Sequence, residues 1–238
     1  MTLRALIRVR GFALATCVAA IACDNGLTGP AYDPVLPTAW SPAVTNPYFP
    51  LVPGTQWRYE GQISEGLELT VVEVLTDTRL INGVTASVVR DRVYLNGTLI
   101  EDTFDWFAQD DEGNVWYLGE DTKEYENGQV VSTEGSWEWG KEGALPGIVM
   151  WADPSAHVGE AYRQEFLAGT AEDWGQVVAV GQSVTVTFGA FSACVKTEEW
   201  NGLESGRENK YYCPQVGLVA EENKGGGDRS QLVAVTTP

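Results

Sequence analysis

The stretch Val84-Thr-Ala-Ser-Val-Val-Arg-Asp-Arg-Val-Tyr-Leu-Asn-Gly-Thr-Leu-Ile-Glu-Asp-Thr-Phe-Asp-Trp-Phe-Ala-Gln109 decides the fold class. At its centre stands Asn96-Gly97, a pair that accepts positive φ at both positions of a two-residue hairpin turn. Both flanks are rich in Val, Thr, Tyr and Trp, the residues that suit a pleated, half-buried surface. Two strands of this length predict a long antiparallel hairpin. Because side chains alternate along a strand, Phe104, Trp106 and Ala108 fall on one face and Thr103, Asp105 and Phe107 on the other.

The same signal recurs outward from this hairpin. Asn82-Gly83 and Asn127-Gly128 are turns of the same chemistry. Further strands are predicted at Thr55 to Ile63, Leu67 to Thr76, Val115 to Gly119, Gln129 to Trp139, Ala161 to Leu167, Trp174 to Val180, Ser183 to Phe188, Val195 to Trp200, Arg207 to Tyr212, Val216 to Glu222 and Gln231 to Thr236. No stretch carries a helical period. Many antiparallel strands joined by tight turns expose edges that a sheet removes by curling and closing. The expectation is therefore an all-β, antiparallel meander forming one barrel-like domain, with a two-sheet sandwich as the alternative.

Ahead of the strands the chain carries an address. Arg4, Arg8 and Arg10 precede a short apolar run from Gly11 to Ala22, which reads as a signal peptide over residues 1 to 22. The following Ala20-Ile21-Ala22-Cys23 resembles the lipobox of bacterial lipoproteins, with Ala20 where Leu is usual, and the resemblance makes Cys23 the lipid-modified first residue. The apolar run is far below the roughly 20 residues a spanning helix needs. From Asp24 to Asn46 the chain has Pro30, Pro34, Pro37 and Pro42 and neither period, so residues 23 to 45 read as a lipidated Cys and a tether, and 46 to 238 as the domain. An exported protein held on the bacterial cell envelope by lipid, periplasmic or outward-facing, is the expected localisation.

Removing residues 1 to 22 takes three Arg and no acid, moving the formal charge from −18 to about −21. A chain this acidic lacks the basic footprint that nucleic acid requires. Of the four Cys, Cys17 lies in the signal and Cys23 is the lipid site, which leaves Cys194 and Cys213. They flank two predicted strands around the turn-rich Asn201-Gly-Leu-Glu-Ser-Gly206. A hairpin symmetric about that turn sets them face to face, and an exported protein would oxidise them to a disulfide staple.

Several stretches resemble a family of exported bacterial proteins and lipoproteins that carries no agreed activity. They are Asn46-Pro-Tyr-Phe-Pro-Leu-Val-Pro-Gly-Thr55, Asp102-Thr-Phe-Asp-Trp106, Gln109-Asp-Asp-Glu-Gly-Asn-Val-Trp-Tyr117, Gly135-Ser-Trp137, Tyr162-Arg-Gln-Glu165 and Tyr211-Tyr212. The resemblance implies one exported domain over 46 to 238 and lends no catalytic residue. Separately, Asp110-Asp-Glu-Gly-Asn-Val-Trp116 is similar to the D-x-x-G-N-x-W turn of β-propeller blades. It occurs once, so it reads as a hairpin turn with an aromatic anchor.

Catalytic signatures are sparse. A Ser-His-acid triad needs a His, and the chain has only His157, in a Pro and Gly setting. Carboxylates near Trp are the acid and base of glycosidases, and Asp102 and Asp105 beside Trp106, with Glu165, Glu172 and Asp173 before Trp174, make a glycoside hydrolase the alternative function. Asp110, Asp111, Glu112 and Asn114 offer calcium its preferred oxygen ligands in one turn, without EF-hand spacing; otherwise no cofactor is expected. The aromatic residues suggest a lining for a small apolar or carbohydrate ligand, with Trp106, Trp137 and Trp139 the residues placed there and the last two sharing a strand face. Together these readings give a lipid-anchored envelope protein, more binding or scaffolding module than enzyme, with a purely structural or protein-interaction domain as the further alternative.

Overall fold

Three Asn-Gly turns set the lengths of the longest strands. Asn82, Asn96 and Asn127 have φ of 47, 50 and 51°, each followed by a Gly at positive φ, the type I′ geometry whose twist matches that of the flanking strands. The computed structural model describes residues 32–41 and 43–238; the signal peptide and Cys23 lie outside the described residues.

Sixteen strands follow in chain order. They are β1 (Trp40–Ser41), β2 (Gln56–Ile63), β3 (Gly66–Ile81), β4 (Val84–Leu95), β5 (Thr98–Asp110), β6 (Val115–Glu126), β7 (Gln129–Ser132), β8 (Trp137–Glu138), β9 (Leu145–Met150), β10 (Ala161–Arg163), β11 (Glu165–Phe166), β12 (Asp173–Val186), β13 (Gly189–Asn201), β14 (Glu208–Cys213), β15 (Gly217–Asn223) and β16 (Arg229–Thr236). A short 3₁₀ turn, Pro154–His157, is capped by the Asp153 side chain.

All strands belong to one antiparallel sheet, ordered β10-β12-β13-β14-β15-β16-β2-β3-β4-β5-β6-β9-β11, with β1 on β5 and β7 and β8 on β6. The last strand, β16, pairs with β2 and so joins the two meanders. The two ends of the order, β10 and β11, are adjacent in the chain with Gln164 alone between them, so the sheet curls into a nearly closed barrel. Closure by curling is the expected answer to exposed edges.

The inside of the barrel is apolar toward one end. Trp57, Val72, Val89, Phe107, Val115, Val195, Val219 and Leu232 are buried there. Phe49 enters from the segment before β2 and touches Phe107 of β5 at 5.1 Å and Tyr212 of β14 at 6.3 Å, so one ring spans the interior. Its chain is held by local polar bonds. Asn46 accepts from the Tyr48 N–H and donates to the Gly113 and Trp151 carbonyls, and Gln109 Oε1 accepts the Thr45 and Asn46 N–H groups. The Asn46-Pro-Tyr-Phe motif is thus a plug. Buried backbone donors that find such partners avoid a desolvation penalty of about 1–3 kcal/mol each.

The folded unit begins earlier than the sequence suggests. Residues 32–41 and 43–45 lie on the barrel: Tyr32 donates to the Pro146 carbonyl, β1 pairs with Gln109 and Asp110 of β5, and Trp40 meets Trp116 and Trp139 at 6.0 and 6.1 Å. Prolines gave this segment no strand period, yet Tyr32, Trp40 and Val44 carry enough apolar surface to hold it down. Other differences are local. The expected strand Gln129 to Trp139 is split into β7 and β8. Trp174 to Val180 and Ser183 to Phe188 merge into β12, where Gly181 at φ +69° sits within a run of register shifts. Strand β9 was not anticipated, because Pro146 and Gly147 interrupt its apolar run.

The expected face-to-face cysteines are joined. Cys194 and Cys213 form a disulfide one step beyond the Val195–Tyr212 pair of β13 and β14.

Candidate functional site

Toward its other end the barrel interior is lined by acids. Alternation brings Glu101, Thr103 and Asp105 of β5 inward, and β6 answers with Thr122 opposite Thr103 and Glu120 opposite Asp105. A bulge at Gly119, φ +141°, is what lets Tyr117 and Glu120 both point in. Tyr117 donates its hydroxyl to Asp105 Oδ1 at 2.6 Å, and Thr103 bonds Thr122 across the ladder. On the far wall Glu199 of β13 accepts from Thr197 and Tyr212, and Lys210 of β14 lies 3.4 Å from Glu199 and 3.4 Å from Glu221. Lys210 is the one buried Lys or Arg among the described residues.

The two walls meet where the barrel closes. Glu165 of β11 and Asp173 of β12 are 0% and 1% exposed. Both carboxyls, both polar ends of the Gln164 amide and the Tyr162 hydroxyl find no hydrogen-bond partner of normal geometry among the described residues.

Such groups favour their neutral forms, since burying a charge without compensation is very costly. Burial pushes Asp105 up to about 7, partly offset by the Tyr117 hydrogen bond and reinforced by Glu101. Glu165 is raised well above the carboxylate range by burial first, then by Asp173, Glu120 and Asp105, with the Trp137 indole acting weakly the other way. Asp173 is raised by burial, with Lys210 opposing and Glu199 reinforcing. For Lys210 burial works against the charge, but Glu199, Glu221 and Glu208 outweigh it and hold the ammonium charged.

The structure sorts the carboxylates picked out for a glycosidase. Asp105, Glu165 and Asp173 converge inside. Asp102 turns to the outer face, where Arg90 grips it through two bonds of 2.8 and 2.7 Å, and Glu172 binds Arg163 outside. All three carboxyls of the converging set are buried. His157 stacks on Trp151 at 3.8 Å and bonds Glu160 at an exposed turn.

Two of the four calcium candidates are drawn into the turn's own hydrogen bonds. Asp110 accepts from the Asn114 N–H, the Asn114 amide and the Trp116 indole at 2.8 to 2.9 Å, while Asn114 Oδ1 accepts from Ala152. The turn uses its own donors to close, as the aromatic-anchor reading implies, and leaves Asp111 and Glu112 at the periphery. Among the described residues no group of three or more His, Cys, Asp or Glu is placed to hold a metal ion.

The tryptophans named as a ligand lining are all buried in the core, each against different neighbours. Trp106 lies under the Arg79 guanidinium at 4.0 Å, and Arg79 in turn bonds Glu138. Trp137 packs edge-on against Tyr117 at 5.3 Å, whereas Trp139 joins Trp40. The last two do not act as a pair, because β8 ends at Glu138 and the chain turns, so alternation no longer applies. The described crevices are small: about 20 Å³ beside Phe49, Trp57 and Val216, and about 10 Å³ beside Glu208, Glu221 and Arg229.

Sequence reasoning missed Lys210, Glu199 and Gln164. In Val195-Lys-Thr-Glu-Glu199 both alternating phases are polar, so nothing marks which one faces in. The outer face carries one further feature: Arg163, Trp174, Trp200 and Arg207 stack in sequence, with the two indoles 6.0 Å apart and nearly parallel and each guanidinium 4.1 Å from a ring.

No protein-family model matches the sequence, and no curated protein does. A Bacteroides fragilis protein taken to be exported and described as having a YmcC-like fold superposes with a TM-score of 0.49 at 15% identity, over 79% of this chain and 98% of its own. A Parabacteroides distasonis protein taken to be a lipoprotein superposes with a TM-score of 0.38 at 14% identity, over the same 79% and 98%.

Proposed function

We propose that the chain is an exported, lipid-anchored protein of the bacterial cell envelope whose barrel serves as an interaction or scaffolding module. The observation that favours this over a carrier of small ligands is the placement of Trp106, Trp137 and Trp139. Each spends its surface on protein groups. The described crevices have room for about one water.

The address rests on the sequence. Arg4, Arg8, Arg10, the apolar run and Cys23 supply an export signal and a lipid attachment point. Multiple acyl chains on Cys23 give stable anchoring without a spanning helix. The burial of Asp105, Glu165 and Asp173 weighs against the glycosidase alternative.

Expressing the full chain in a bacterium fed a labelled fatty acid tests the anchor. The wild type takes up label and fractionates with membrane, while Cys23→Ser takes up none and is released. Native mass spectrometry of the released form tests the module. A bare protein mass is expected; an excess mass that leaves on denaturation overturns the interaction reading in favour of a carrier.

A further inference from the structure

The barrel is closed by something weaker than a ladder at one place. The sheet order ends at β10 on one side and β11 on the other, and Arg163-Gln164-Glu165 bridges them by covalent chain. The bridge is short of backbone bonds: β10 pairs only with β12, β11 only with β9, and the Gln164 N–H reaches the Asp173 carbonyl.

Its two sides differ in chemistry. Outside, Arg163 is sandwiched between Phe166 at 4.9 Å and Trp174 at 4.1 Å, bonds the Glu172 carbonyl and carboxylate, and Tyr32 packs edge-on against Phe166. Inside lie the Tyr162 hydroxyl, the Gln164 amide and the Glu165 and Asp173 carboxyls, without hydrogen-bond partners of normal geometry among the described residues. Glu165 faces Asp173 of β12, Glu120 and Tyr117 of β6 and Asp105 of β5; Asp173 faces Lys210 of β14, Glu199 of β13 and Glu204 in the connection after it. Lys210 is already shared among Glu199, Glu221 and Glu208.

We propose that this seam is a proton-operated closure, shut while Glu165 and Asp173 hold their protons and opened when they lose them. Two neighbouring buried carboxyls cannot both ionise without water or a counter-cation, since like charges at close range in a poorly solvated site repel strongly. Water enters where the fewest bonds must break, and that place is the seam, not the continuous ladders of β2 to β6. Aromatic stacking on Arg163 acts as the outer latch and carries no titrating carboxyl besides Glu172, whose partner is Arg163 itself.

Native-state hydrogen exchange on the full chain, read by mass spectrometry from pH about 5 to about 8.5 and corrected for the intrinsic rate, tests this. Peptides covering 161–173 should lose protection with rising pH, with the opening equilibrium growing about tenfold per pH unit for each proton released. Peptides from β3 to β5 should stay better protected than these at every pH, because they open only with the whole barrel. In Glu165→Gln with Asp173→Asn the pH dependence at 161–173 should vanish, while the exposed control Glu134→Gln, away from the seam, keeps it. Should the double variant not fold, the wild-type contrast between 161–173 and β3 to β5 still decides. Seam protection that is independent of pH, or that changes only in step with the whole barrel, overturns the proposal.

Discussion

Replacing Asp105 by Asn changes one proton and little else, which makes it the sharpest probe of the acid-lined interior. The carboxyl is wholly buried, accepts the Tyr117 hydroxyl at 2.6 Å and lies opposite Glu120 in the ladder. Burial and Glu101, against the Tyr117 bond, place it at about 7 when folded, compared with 3.8 for the free group. Because the folded value is the higher one, the native state holds a proton that the unfolded chain releases. Stability from this group is complete below pH 3.8 and is lost as pH rises to about 7. A gap of about three pH units amounts to about 4 kcal/mol, and relaxation with water entry brings the expected figure to about 2–4 kcal/mol. Asn keeps an oxygen for Tyr117, presents N–H groups to the neighbouring carboxyls and cannot ionise. Urea unfolding followed by Trp fluorescence, at constant ionic strength and pH from about 4 to about 8.5, should give Asp105→Asn within about 1 kcal/mol of wild type at the acid end and about 2–4 kcal/mol above it at the alkaline end. Two parallel stability profiles, or a variant weaker at every pH, would refute the reasoning that Asp105 is held neutral by burial.

The remaining predictions concern closure and packing. Reducing the Cys194–Cys213 bond, or replacing both residues by Ser, should lower stability by about 3 kcal/mol by the loop-entropy argument for a separation of 19 residues, seen as a shift of the urea midpoint with and without reductant. Gly147→Ala drives a methyl into the backbone of Arg163 and Gln164, so it should cost about 1–3 kcal/mol and raise hydrogen exchange first in residues 161–166. Asp110→Ala leaves the Trp116 indole and two Asn114 donors without their acceptor, so thermal unfolding should show a loss of about 2–3 kcal/mol, and calcium should shift the wild-type midpoint not at all.

How much of this is legible in the sequence depends on whether a segment's pattern has one cause. Val84 to Gln109 does: its Asn-Gly turn and alternating faces predict β4 to its end residues and β5 to within one, and Thr103, Asp105 and Phe107 do share the face turned inward. The Asp110 turn is similar, since its donors and acceptors are all local. Tertiary packing hid the rest. The segment before Asn46 reads as a tether because its holds are distant: Tyr32 on Pro146, Trp40 on Trp116 and Trp139. Glu165 and Asp173 attract notice for their neighbouring Trp, but that indole, Trp174, lies outside under Arg163 while the acids point in. Their partners across the barrel, Asp105 and Glu120, are some 40 residues away or more in the chain and meet them only because the sheet closes.

Closure also changes what the acid composition means. A formal charge of about −21 for the processed chain treats every carboxyl as ionised and invites the reading that the acids are there for solubility. Twelve of them are buried among the described residues, against the single buried cation Lys210. Some of the twelve are conventional ion pairs facing outward, such as Asp102 with Arg90 and Glu198 with Arg207 and Lys224. Asp105, Glu165 and Asp173 are not, and burial holds all three toward the neutral form. The folded protein at neutral pH therefore carries less negative charge than its unfolded chain, and unfolding must release protons. That sign is opposite to the one surface ion pairs give, where a lowered carboxylate pKa makes the unfolded chain take protons up. A weakly buffered unfolding experiment with a pH indicator reads the sign directly near pH 6, where the outer ion-pair carboxylates are ionised in both states: acidification means the interior acids hold protons in the fold, and no acidification refutes it.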